Sequence, residues 1–174
     1  MVALAGCKED VAGVPPPPHE LTSAAIGYYC GMNLMEHGGP KGQIILANRS
    51  DPIWFSSARD AVSFTLLPEE PKDIRVIYVS DMAKAPSWDD PGTKNWVDAR
   101  KGFFVIGSRV AGGMGAPETV PFSNRQAADE FVAEKGGKVV TFDAIPRDYV
   151  LSSEPDAADP VGAAILEPKE AQRN

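Results

Sequence analysis

Cysteine is scarce in this chain: only Cys7 and Cys30 carry a thiol among 174 residues. A fold stapled by disulfides is therefore excluded, and a chain of this length can bury enough surface to do without one. No apolar run approaches the roughly 18 residues that a membrane-spanning helix needs. No stripe or run of Lys and Arg is present either, and Lys+Arg 17 against Asp+Glu 24 leaves a net charge of -7. That balance argues against nucleic acid as a partner. Histidine is as rare as cysteine, with only His19 and His37. What remains, with 43% hydrophobic residues, is the composition of an ordinary water-soluble fold large enough for one domain or two small subdomains sharing a core.

The two cysteines differ in kind. Cys7 ends Leu4-Ala5-Gly6-Cys7, which resembles the lipobox of bacterial lipoproteins, cut before a cysteine that is then acylated. The basic and apolar regions of a secretory signal do not stand upstream of it, so Met1 to Gly6 are at most the tail of one. Acylation of Cys7 would place the chain outside the cytoplasm on a lipid anchor and leave Cys30 as the only free thiol. After it, Val14-Pro15-Pro16-Pro17-Pro18-His19 reads as a stiff polyproline spacer of about 3.1 Å per residue, with His19 a solvated end. From Ser152 the chain is polar, broken by Pro and free of aromatics, as disordered tails are. The expected organisation is a lipobox and tether over 1–20, a first unit with its crossover over 21–92, a second unit over 93–151, and a tail over 152–174.

Soft donors concentrate in one stretch. Between Cys30 and His37 lie Met32 and Met35, so one thiol, two thioethers and one imidazole occupy eight positions. Thiolate and thioether favour Cu(I) over hard divalent ions, which prefer carboxylate and carbonyl oxygen. Gly31 separates Cys30 from Met32 without crowding a metal, and in a strand both sulfurs would point to one face. No second chain is needed to complete such a site, and a monomer is expected. The competing reading is that these residues fill a core, as buried Cys and Met commonly do.

Two segments repeat. Phe55-Ser56-Ser57-Ala58-Arg59-Asp60-Ala61-Val62-Ser63-Phe64 parallels Phe122-Ser123-Asn124-Arg125-Gln126-Ala127-Ala128-Asp129-Glu130-Phe131, each with Phe-Ser, a helical run and Phe nine positions after the first. Ser56 or Ser57 can cap the first helix, and Ser123 with Gln126 forms a capping box for the second. Ala127, Ala128, Phe131 and Val132 fall at helical spacing and should face the core. Strand-like runs follow the helices at Ile74–Val79 and Val139–Phe142, and precede them at Tyr28–Cys30 and Gln43–Leu46, and at Phe103–Ile106 and Glu118–Pro121. The expected fold is α+β: two homologous ββαβ units packed side by side. By this alignment His37-Gly38-Gly39-Pro40 takes the same place as Met114-Gly115-Ala116-Pro117, each a tight turn presenting a donor. The turn-rich segment between the units carries Trp88 and Trp96, expected to cover a sheet edge, and Met82, expected in the core.

Taken together, Cys30-Gly31-Met32, His37-Gly38-Gly39-Pro40, Val79-Ser80-Asp81-Met82 and Gly112-Gly113-Met114-Gly115-Ala116-Pro117 resemble the NosL family, the lipoprotein accessory factors of nitrous oxide reductase. The likeness covers about residues 3–150, lipobox included. It implies a periplasmic, lipid-anchored Cu(I) chaperone for the copper–sulfide centre of that reductase, handing over copper through the family's ABC-transporter maturation complex. The family's Cys-x-Met falls on Cys30 and Met32 and its later loop methionine on Met114. These are implied as Cu(I) ligands, with His37 and Met35 as further candidates and Cys7 as the lipid attachment. The family fold resembles part of organomercurial lyase, in agreement with the paired units.

Three other functions are weighed against this. A lyase breaking a carbon–mercury bond needs a second thiol beside the first, and a thiol redox protein needs a resolving thiol and basic neighbours. Neither requirement is met around Cys30, so no enzyme is expected. A structural lipoprotein module would instead bury Cys30, Met32 and Met114.

Overall fold

Residues 13–152 are described by a computed structural model. The lipobox at Cys7 and the tail beyond Ser152 lie outside the described residues.

The first sheet is built on β1, Gly42–Leu46, whose five residues are all buried. Ile44, Ile45 and Leu46 suit a strand covered on both faces, and buried Gln43 is accommodated by hydrogen bonds. Antiparallel neighbours flank it: β2 (Ile53–Phe55) on one side, β3 (Ile74–Ser80) on the other, with β4 (Trp96–Asp98) outside β3. Between β2 and β3 runs helix α1, Ala58–Leu66. Ser57 caps it, its hydroxyl accepting from Asp60 N, and Ala58, Ala61, Val62 and Phe64 turn inward at helical spacing. The second sheet repeats the plan with β5 (Phe103–Ile106), β6 (Val120–Phe122), helix α2 (Arg125–Lys135) and β7 (Lys138–Thr141), in the order β6-β5-β7. The matched phenylalanines hold equivalent register: Phe55 pairs with Gly42 and Phe122 with Phe103, each opposite the first residue of its unit's central strand. A short helix α3, Arg147–Leu151, packs beneath, and Ile44, Phe64, Ile77, Phe104, Ile106 and Val150 belong to one core running through both units.

The units also exchange carboxylates. Asp81, just past β3, accepts from Ser123 N (2.8 Å) ahead of α2. Glu118, just ahead of β6, accepts from Arg59 N (2.9 Å) in the first turn of α1. Each unit thus supplies a carboxyl oxygen to a backbone N–H at the start of the other's helix, where such donors have no partner within the helix.

The ββαβ plan stands, but three of its details differ from the sequence reading. Tyr28-Tyr29-Cys30 is a turn, and β2 supplies the unit's second strand, so the first unit opens at β1. The His37–Pro40 loop therefore precedes β1, whereas the Met114–Pro117 loop joins β5 to β6; the two are not equivalent in the repeat. Asn124, rather than Ser123, caps α2, accepting from Ala127 N, while Ser123 N donates to Asp81.

The proline segment is also not a free spacer. Buried Gln43 bonds both ways with the His19 backbone (2.8 and 2.9 Å), and Tyr78 donates to Pro16 O (2.7 Å). Leu21 and Ala25 continue onto the same sheet with Leu34, and Trp54 and Trp96 pack against them. Trp96 thus sits in β4, while Trp88 and Met82, both half-buried, pack against the cluster of Val105, Val120 and Phe122, which puts Met82 at the edge of the core.

Candidate metal centre

Cys30 sits in a closed turn. Gly31 N donates to Gly27 O (2.8 Å), Gly27 N donates to Met32 O (2.9 Å), and Gly31 takes φ 67°, a left-handed angle that glycine adopts freely. Cys30 and Met32 are therefore held by a turn, and the strand alternation expected to place both sulfurs on one face does not apply. The turn is fixed from outside. Tyr28 N donates to Trp54 O of β2 (2.8 Å), and the rings of Tyr28 and Tyr29 lie against Phe55. Their hydroxyls donate to the two oxygens of Glu70, Tyr28 at 3.2 Å and Tyr29 at 2.9 Å. Burial and the neighbouring carboxylate push the Tyr29 phenol well above its usual range, so it stays a donor. The half-buried Cys30 thiol folds back over Gly27, where an added Cβ would stand 2.4 Å from Sγ.

From Met32, itself half-buried, the chain enters a 3₁₀ turn, Leu34–Glu36. Asn33 caps it by accepting from Met35 N (2.9 Å), and fully buried Leu34 anchors it, which leaves Met35 55% exposed. His37 follows, and its Nε2 is buried without a hydrogen-bond partner. A shielded imidazole nitrogen of that kind calls for a partner, and a soft metal ion would supply one.

Met114 tops the second loop at 51% exposure. Its turn closes through Gly112 N to Ala116 O and Gly115 N to Gly112 O, both 2.8 Å, with Ala111 bridged to Pro117. Folding brings this loop against the His37 loop: a Cβ on Gly113 would meet Gly38 O at 2.6 Å and the His37 Cβ at 2.9 Å. Loops that are not equivalent in the repeat are thus neighbours in space.

Beneath them lie two buried ionisable side chains, Lys41 and Glu118, that the sequence reading did not single out. Lys41, 1% exposed, donates through Nζ to His37 O (2.6 Å), Gly38 O (2.9 Å) and Ser56 O (3.4 Å). Burial pulls its pKa down to about 8, while the fields of Glu118 and Cys30 oppose that fall. Glu118, 1% exposed, accepts through Oε1 from Arg59 N and Thr119 N, and its Oε2 is buried without a partner facing Gly112. Burial pushes its carboxyl up to about 8 against the pull of those two N–H groups. The signal available in the sequence was adjacency: Lys41 stands between a glycine-rich turn and a wholly buried strand, where a cation must find partners.

Among the described residues, no three His, Cys, Asp or Glu side chains cluster as a metal site. A site here would draw on thioether sulfur, which selects soft monovalent copper.

The family model described as NosL matches residues 18–150. A relative described as the copper-binding lipoprotein NosL of Achromobacter cycloclastes is 47% identical over 165 residues, 91% of this chain and 85% of the relative. Another of the same description, from Stutzerimonas stutzeri, is 30% identical over 127 residues, 73% of this chain and 64% of that protein. The crystal structure of the copper chaperone NosL from Shewanella denitrificans superposes with a TM-score of 0.71 at 34% identity, covering 76% of this chain and 98% of that one. The solution structure of apo-NosL from A. cycloclastes gives 0.50 at 44% identity, covering 68% and 93%.

Proposed function

The chain belongs to the NosL family, and from that premise we propose that it is a lipid-anchored periplasmic Cu(I) chaperone serving assembly of the copper–sulfide centre of nitrous oxide reductase. The observation that carries this is the meeting of the two loops. The His37 loop and the Met114 loop touch at Gly38 and Gly113, and the half-buried Cys30–Met32 turn leads into the first of them. Copper is the cargo. Cys30 binds it as thiolate, Met32 and Met114 as thioethers, with the buried Nε2 of His37 as an additional donor and Met35 at the exposed margin. The thiolate is the strong ligand, and its proton must leave, so affinity falls in acid. Thioethers are neutral and do not titrate, which leaves copper releasable to a partner richer in thiolate or imidazole. Cys7 is the lipid attachment, and the transporter-linked maturation complex is the membrane partner. The net charge of -7 suits docking on a basic patch, which would show as salt-dependent binding.

The test is an anaerobic Cu(I) titration against a competing chelator on wild type and Cys30→Ser. One tight equivalent that the substitution abolishes is expected. Wild-type affinity in Cys30→Ser would overturn the assignment of Cys30, and no tight binding in wild type would return the chain to a structural role.

A further inference from the structure

We infer that Lys41 and Gly113 are positioning residues that together set the gap between the two donor-bearing loops, so that His37 and Met114 can serve one ion. The inference rests on the Cu(I) reading and adds to it the parts that hold the site closed before metal arrives. Lys41 acts from below. An ammonium has three donors, and here they go to three backbone carbonyls, His37 O, Gly38 O and Ser56 O. Two belong to the loop that carries His37 and the third to the segment leading into α1, so the loop is tied to the core of the first unit. A carbonyl paired with a buried charge is held more firmly than one paired with a neutral donor.

Gly113 acts from the other side. Its backbone is outside the left-handed region, so alanine is conformationally permitted there. The glycine is required by contact: an added Cβ would stand 2.6 Å from Gly38 O and 2.9 Å from the His37 Cβ. Relieving that overlap moves one loop by on the order of 1 Å, given normal carbon contact distances. Donor sets tolerate only about 0.5 Å of such displacement. Lys41 prevents the His37 loop from retreating into the protein, and the missing side chain at Gly113 lets the Met114 loop close on it. Neither residue touches the ion.

The experiment compares wild type, Gly113→Ala and Lys41→Met by anaerobic Cu(I) competition, by X-ray absorption at the copper edge, and by proton NMR of the metal-free proteins. Gly113→Ala is expected to fold as wild type and to bind Cu(I) about tenfold more weakly, with nitrogen or sulfur scattering lost from the first shell. Wild type should show an inter-loop nuclear Overhauser effect between the His37 β-protons and Gly113 that is absent in Lys41→Met. If Lys41→Met does not fold, Gly113→Ala, on the exposed loop, decides alone. Unchanged affinity and an unchanged edge spectrum in Gly113→Ala would overturn the inference while leaving the chaperone reading intact. Failure of wild type to bind Cu(I) would instead overturn that reading.

Discussion

The two ββαβ units share strand order, register and a capped helix, yet they are insulated very differently. In the first, β1 is buried along its whole length and α1 buries Ala58, Arg59, Ala61, Val62 and Phe64. In the second, α2 fully buries only Ala128, and β7 is exposed at both ends. The central strands of both units are buried on both faces, but the first unit's flanks are closed by the Leu21–Leu34 segment and α1, whereas α2 and β7 leave the second's flank partly open. The donors follow the same asymmetry. Cys30, Met32, Met35 and His37 come from an extension ahead of the first unit's opening strand, and Met114 from a glycine-rich loop within the second. Duplication supplies the scaffold, and the candidate site lies where its symmetry fails.

The two units should differ most in their cores. Phe64→Ala, in a side chain with no exposure, should destabilise by about 3–5 kcal/mol. The half-buried counterpart Phe131→Ala should lose roughly half as much by its smaller buried area. Urea melts of the two variants check this, and equal losses would mean that the second core is as closed as the first.

The exchanged carboxylates should respond to pH in opposite senses. Burial disfavours the Asp81 anion, but hydrogen bonds from Ser123, Lys84 and Ala83 outweigh it and hold the carboxyl below its usual range. Its contribution is present above the unfolded pKa and is lost as pH falls through the folded one. Glu118 is raised from 4.5 to about 8, so between those values the folded state holds a proton that the unfolded state does not, and stability declines as pH rises. Lys41, lowered to about 8, is charged in both states below that value and adds no slope there. Urea midpoints from pH 3 to 9 (a range of about six units) should therefore lose their alkaline-going decline in Glu118→Gln. They should lose part of their acid sensitivity in Asp81→Asn. A decline that persists in Glu118→Gln would place its origin elsewhere.

The helix caps should be the point of least difference. Ser57→Ala and Asn124→Ala each remove one side-chain acceptor from the first turn of a helix, and each should cost about 1 kcal/mol. A large inequality between them would show that one helix start depends more on its exchanged carboxylate than on its own cap.

Much of this was legible in the chain. The phenylalanine repeat gave both helices and their register, because Phe-Ser before a helical run is a local pattern. Strands β1 and β3 were equally plain from their short runs rich in Ile and Val. Three features were not. Tyr28-Tyr29-Cys30 has strand-forming aromatics, but their rings cap Phe55 from a turn that Gly31 permits. The proline segment carries no sign of its attachment, since Gln43 takes hold of it through backbone atoms that any residue at 19 would offer. Lys41 has its carbonyl partners in the turn just before it, but its burial, and the meeting of Glu118 with the distant Arg59 amide, come only with the fold. Of the candidate donors, Cys30 and Met32 could be picked out by type and spacing. The neighbouring of the His37 and Met114 loops required the fold.

The proposed sharing of one copper ion across the seam between the units stands or falls on Met114→Ala. Anaerobic Cu(I) competition on wild type and this variant should show one tight equivalent in wild type and clearly weaker binding in Met114→Ala, with the fold unchanged. Binding of wild-type strength in Met114→Ala would confine the metal to the Cys30 turn and its His37 extension, and would contradict a site built from both units.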